Sequence, residues 1–168
     1  MLKKANQILN NKKYTECLLE IKNLEKDRKF CRHDMEHFLS VARIAYIITL
    51  EEGLKYSKDL IYSIALLHDI GRALEYKENI PHNKAGVIIS EEILKETSFT
   101  SEEKEQILNS ICSHRDLNSD KLSEIIYKSD KLSRNCFDCS AKADCYWQED
   151  KRNYKINYWL KDDNSEDR

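Results

Sequence analysis

Two adjacent metal-capable residues, His68 and Asp69, close the apolar run Ser63-Ile64-Ala65-Leu66-Leu67 and are followed by Ile70-Gly71-Arg72. A run this apolar belongs inside a fold, and polar side chains buried with it are costly unless something compensates them. Three further histidines and an aspartate stand in comparable settings: His37, His82, His114 and Asp130. The chain thus carries the ordered series His…His-Asp…His…His…Asp. These are enough donors for one metal ion and, with a shared carboxylate, for two.

The scaffold around this series is read as all-α. Only three Gly and one Pro punctuate 168 residues, too few turn signals for a β fold. Charged residues at 35% and hydrophobic residues at 40% suit helices with solvated outer faces. A net charge of -2 gives no basic footprint for nucleic acid. The start, Met1-Leu2-Lys3-Lys4-Ala5-Asn6-Gln7, lacks the apolar core of a signal peptide, and no apolar stretch reaches the roughly 20 residues of a membrane span. A cytoplasmic protein is expected, with its six cysteines reduced or metal-bound rather than in disulfides.

Periodicity predicts where the helices lie. Residues 6–24 read as one or two amphipathic helices with Cys17, Leu18, Ile21 and Leu24 on one buried face. A helix over 33–50 places His37 in register with Val41, Ile44 and Ile48, inside the apolar stripe. A helix over 57–70 aligns Ile61, Ala65 and His68, with Gly71 as a left-handed stop. Residues 72–81 read as a loop, and 82–95 as a helix with His82 at its mouth. Ser101 is expected to cap a helix containing Ile107, Ile111 and His114, and 122–133 to form one carrying Leu122, Ile126 and Asp130. In a helical bundle such stripes converge on one interior. The expected organisation is a helical extension over 1–30, a core domain over 31–134, a Cys-rich segment and C-terminal helix over 135–160, and a disordered tail over 161–168.

A single histidine on an apolar stripe is more often a hydrogen-bonded core residue than a ligand. The joint occurrence changes the balance, because four of the five histidines fall in the series. His33 is left over as a capping or surface residue. Imidazole and carboxylate together suit Fe, Mn, Zn, Co or Ni rather than Mg or Ca. His37, His68, Asp69 and Asp130 can hold one ion; His82 and His114 add a second, with Asp69 as the natural bridge. Arg72, Arg115 and Lys131 adjoin the ligands and could bind phosphate, although solvated charge at a helix end is as good a reading of each.

These residues resemble the HD-domain superfamily of metal-dependent phosphohydrolases. His37-Phe38-Leu39-Ser40-Val41-Ala42, Ala65-Leu66-Leu67-His68-Asp69-Ile70-Gly71-Arg72 and Ser129-Asp130-Lys131-Leu132-Ser133 stand in the order of that family's motifs. His82 before Asn83-Lys84-Ala85-Gly86 and His114 in Ile111-Cys112-Ser113-His114-Arg115 match the extra pair of its two-metal members. Among those, the chain looks most like the small bacterial proteins that hydrolyse dinucleoside tetraphosphates. The resemblance implies a compact helical bundle and hydrolysis of a phosphoester or phosphoanhydride bond by a metal-activated hydroxide. The substrate would be a nucleotide or small phosphate ester, with Asp69, Arg72 and Lys131 catalytic and the protein a monomer or homodimer. Two other classes compete: a di-iron oxygenase on the same scaffold, and a non-catalytic metal- or redox-responsive module.

A second cluster follows the last motif. Cys136, Cys139 and Cys145 lie within ten residues, and in a reducing compartment such spacing suggests a structural zinc or an iron–sulfur centre. Cys31 is the expected fourth ligand: it lies six residues before His37, as Cys136 lies six after Asp130. His33 or Cys112 could substitute. Cys17 reads as core. The region after Cys145, with Trp147, Tyr154, Ile156, Tyr158 and Trp159, reads as a helix packing back on the bundle.

Overall fold

The apolar run becomes the central helix. In the computed structural model, which describes residues 1–113 and 120–155, it forms α4 (Lys58–Leu67), in which Leu60, Ile61, Ser63, Ile64, Ala65, Leu66 and Leu67 are all buried. Burial on every side follows from its neighbours, since α4 packs against α1 (Lys3–Leu9), α3 (Met35–Glu51), α7 (Ser101–Ser113) and α8 (Lys121–Leu132). Around this axis, α2 (Lys12–Leu24) lies against α5 (Arg72–Glu78) and α6 (His82–Lys95), and α6 against α7. Three short 3-10 turns follow α8, and the described residues contain no strand. The fold is all-α. No described helix is long and apolar enough to cross a membrane.

Side-chain caps set most helix starts. Asn11, Asp34, Ser57 and Asp120 each accept a backbone N–H from the first turn of α2, α3, α4 and α8. For α7 the cap is Thr100, one residue earlier than expected. Its Oγ1 accepts the Glu103 N–H at 3.2 Å, while Glu103 Oε2 accepts the Thr100 N–H at 2.8 Å, a reciprocal capping box. On α2, Cys17 and Ile21 are buried as expected, but Leu24 in the last turn is 49% exposed, beyond the reach of the neighbouring helices.

The stretch after His68 departs most from expectation. Residues 72–78, read as loop, form α5. Its stop is Asn79 in the left-handed region (φ 56°), and Gly71 has an ordinary right-handed φ of -65°. A short helix with Ala73 as its buried residue gives little periodic signal; it is held by the Arg72–Glu75 pair at 3.0 Å and by packing on α6 and α2. Gly71 is required for space. A Cβ there would lie 2.0 Å from the His82 carbonyl oxygen and 2.3 Å from the Gly86 nitrogen. The absence of a side chain lets α6 cross directly over the His68–Gly71 turn, and this crossing brings His82 to Asp69.

The segment after Cys145 also differs from expectation. Over 146–155 it forms one 3-10 turn, Glu149–Lys151, rather than an α-helix. Charged and exposed side chains there offer no apolar stripe for the bundle. Ile156, Tyr158, Trp159 and the tail lie outside the described residues.

Candidate metal centre

His37 comes from the first turn of α3, His68 and Asp69 from the end of α4, and Asp130 from the last turn of α8. One ligand atom from each lies within 4.8 Å of the others. Asp69 is the hub. Its Oδ2 faces His68 Nε2 at 3.3 Å and His37 Nε2 at 3.9 Å, and its Oδ1 faces His82 Nε2 at 3.5 Å. Asp130 Oδ1 is 3.4 Å from His37 Nε2. His82 therefore stands at the other oxygen of Asp69, the residue expected to bridge. His114 and Arg115 lie outside the described residues.

The far side of each ring is fixed. His68 Nδ1 lies 2.7 Å from the Ala65 carbonyl and His82 Nδ1 2.8 Å from a Glu75 carboxylate oxygen; both partners can only accept. His37 Nδ1 lies 3.1 Å from Ser133 Oγ, whose own proton goes to the Asp130 carbonyl at 2.8 Å, so His37 donates as well. Rings anchored in this way turn Nε2 toward Asp69. Such outer hydrogen bonds orient imidazoles for metal binding.

Electrostatics agree with a cation at this point. Burial and the nearby His68 push His37 down to about 4, which keeps it a neutral donor at pH 7. Its buried Nε2 has no hydrogen-bond partner among the described residues. Burial alone would lower His68, yet Asp69 and Asp130 draw it above its ordinary value. Burial would raise both aspartates, but the surrounding positive charge holds each well below the usual carboxylate range. Two ionised carboxylates and three oriented imidazoles are a donor set for a divalent transition metal. The residues fit the ion.

His33 was missed. It is 3% exposed, with Nδ1 2.5 Å from Glu25 Oε1 and Nε2 3.6 Å from Asp69 Oδ2. Its spacing of four residues before His37 was the available signal; nothing in the sequence marked Glu25. That carboxyl is pushed up by burial, but His33 and the Tyr76 hydroxyl donate to it and hold it down at about 2. Since the folded pKa is depressed from 4.5, the stabilisation is complete above that pH and fades as pH falls toward 2. In urea unfolding, Glu25→Gln is expected to lose about 3 kcal/mol near neutral pH, a gap that narrows below about pH 4. A gap independent of pH would show that Glu25 acts through packing alone.

Arg72 and Lys131 stand beside the carboxylates. Arg72 Nε donates to Asp69 Oδ1 at 3.1 Å, and Lys131 Nζ to Asp130 Oδ2 at 2.6 Å. Arg134, not singled out from sequence, donates to Asp130 Oδ1 at 3.3 Å. Next to the metal group is a cavity of about 380 Å³ lined by His33, by the four cations Arg28, Arg72, Lys131 and Arg134, and by Tyr127, Tyr146 and Trp147. Trp147 lies across the cations, its ring centre 4.2 Å from Arg134 and 5.5 Å from Lys131. Cys31, Cys136, Cys139 and Cys145 line a separate cavity, and Cys112 lies elsewhere.

Known proteins resemble this chain in sequence and in fold. The family model of the HD domain matches residues 34–135, and the chain belongs to that family. An uncharacterised protein of Clostridium beijerinckii is 46% identical over 153 residues, which is 91% of this chain and 98% of that one. The fold is similar to the crystal structure of a predicted HD superfamily hydrolase from an uncultured Thermotogales bacterium. That likeness has a TM-score of 0.58 at 24% identity and covers 82% of this chain and 80% of the other.

Proposed function

We propose that the chain is a metal-dependent phosphohydrolase acting on a nucleotide or small phosphate ester. The observation that carries this reading is the juxtaposition of the His37/His68/Asp69/Asp130 group with a cavity walled by four cations. His37, His68, Asp69 and Asp130 would hold one ion; His82, through the second oxygen of Asp69, would help hold another, with His114 from outside the described residues. The chemistry such ions supply when bound is neutralisation of phosphoryl oxygens and a lowered pKa of coordinated water. Arg72, Lys131 and Arg134, which line the cavity, would bind phosphates that do not react, for which guanidinium is well suited. His33, backed by Glu25, can take up or return a proton at Nε2 on the same wall. Trp147 and Tyr127, on the same wall, would offer a planar base a face to stack on. A polyphosphate chain between two nucleosides, as in dinucleoside tetraphosphates, suits four cations and several aromatic rings. A cytoplasmic setting belongs to the same reading.

The test is phosphate release by anaerobically purified protein, screened over nucleotides and dinucleoside polyphosphates with Mn, Fe, Co, Ni and Zn. Turnover without dioxygen is expected. Dioxygen-dependent oxidation without phosphate release would overturn the proposal. His82→Ala is expected to lower bound metal from about two ions to about one and to slow turnover by roughly 10–100-fold. About one ion in both wild type and variant would make the centre mononuclear, and about two in both would remove His82 from metal binding.

A further inference from the structure

The segment after α8 poses a stability problem that the metal group does not address. From 133 to 155 it contains only 3-10 turns of three residues each, and Ala141 is its one buried residue. An irregular stretch this long, with almost no apolar side chain inside, contributes little hydrophobic stabilisation to offset the entropy of ordering it. It is nevertheless tied down. Arg152 donates to the Cys145 carbonyl at 2.6 Å, Asn153 Nδ2 donates to the Lys131 and Arg134 carbonyls at 2.6 and 2.9 Å, and the Phe137 N–H reaches the Asn153 carbonyl at 3.1 Å. The linker before α3 folds onto it: Arg28 Nε donates to the Cys31 carbonyl at 2.8 Å, and Phe30 packs edge-on against Tyr146.

Between these two segments lies a cavity of about 470 Å³, and four of the six cysteines line it: Cys31, Cys136, Cys139 and Cys145. The two left out are Cys17, buried in the core, and Cys112, exposed on α7. Six Lys and Arg side chains line the cavity against two Asp, an excess of positive charge suited to thiolates. The four sulfurs do not close to within 4.8 Å of one another as the donors of the His/Asp group do, so they frame a wider cage; burial raises the Cys31 thiol, Arg134 lowers it, and Cys136 and Cys139 raise it further.

We propose that Cys31, Cys136, Cys139 and Cys145 form a second metal centre, a four-thiolate site for zinc or an iron–sulfur cluster, separate from the His/Asp group. Four sulfur donors with no vacancy define a structural centre and not a catalytic one. It clips a stretch near residue 31 to one more than a hundred residues later, supplying the staple that a core would otherwise provide. It also sets the substrate wall. The two cavities share Arg28, Arg134, Tyr146 and Trp147, so fixing the cysteines fixes the cations and the indole that face the active site.

The test compares metal and acid-labile sulfide in anaerobically purified full-length wild type, Cys31→Ser, Cys139→Ser and Cys112→Ser. Loss of about one zinc, or of about four irons with matching sulfide, in the first two variants and not in Cys112→Ser is the expected result, and which element is lost identifies the centre. Native wild-type protein is also alkylated, so that a decision does not depend on variants that fail to fold. Slow labelling of the four cysteines beside fast labelling of Cys112, with the difference abolished by a chelator strong enough to strip the metal, is expected. Equal metal content in all four proteins, or labelling of the four as fast as Cys112, would overturn the proposal whatever the substrate of the enzyme proves to be.

Discussion

Asp69→Asn is expected to reduce phosphate release by roughly three orders of magnitude while leaving the helical content unchanged. The substitution keeps the shape of the side chain and removes its charge. In the native protein Asp69 lies within 4 Å of four imidazoles and accepts from Arg72 Nε. Both of its oxygens are used, one on the His37/His68 side and the other on the His82/Arg72 side. A neutral amide can satisfy neither side fully, and its NH2 would point a donor at a space meant for a cation. Metal content should therefore fall together with rate. Circular dichroism and metal analysis of the same preparation separate this outcome from unfolding. A variant that loses its metal yet hydrolyses substrate at the wild-type rate would remove Asp69 from the mechanism.

Gly71→Ala is expected to be among the most damaging single-methyl additions in the chain, at about 3 kcal/mol or more. The atoms in the way are backbone: the His82 oxygen at 2.0 Å and the Gly86 nitrogen at 2.3 Å. No rotamer change can relieve such a contact, so α6 must move off the His68–Gly71 turn and carry His82 away from Asp69. Gly86→Ala, by contrast, would meet a side-chain methyl, Ile111 Cγ2, at 3.0 Å, with the nearest backbone atom at 3.8 Å, and should cost less, about 1–2 kcal/mol. Urea midpoints measure the two costs. Equal midpoints for Gly71→Ala and wild type would show that α6 does not cross at this spacing.

The sequence made some of this arrangement legible and concealed the rest for physical reasons. Helices with an apolar stripe, such as α3 and α8, could be read from periodicity, and α6 begins and ends where 82–95 was expected. The ligand group was legible because burying a lone His or Asp is expensive, which makes several of them in one apolar pattern conspicuous. α5 was hidden because its stability comes from ion pairs and neighbours, and neither leaves a repeat. Gly71 was misread since a glycine needed for space looks the same in sequence as one needed for φ. Glu25 and His33, eight residues apart, meet because the linker before α3 turns back onto the end of α2, and an irregular loop of this kind leaves no repeat in the sequence.

The cavity beside the metal group is built from two kinds of chain. Arg72, Tyr127, Lys131 and Arg134 lie within residues 34–135, the span shared with the HD domain family, while Arg28, His33, Tyr146 and Trp147 come from the flanks. On the proposed reading, the pocket thus draws part of its wall from the domain span and part, His33 included, from the segments on either side. On that reading, substitutions near residues 28 and 147 would alter which ligands the pocket admits while leaving His37, His68, Asp69 and Asp130 in place.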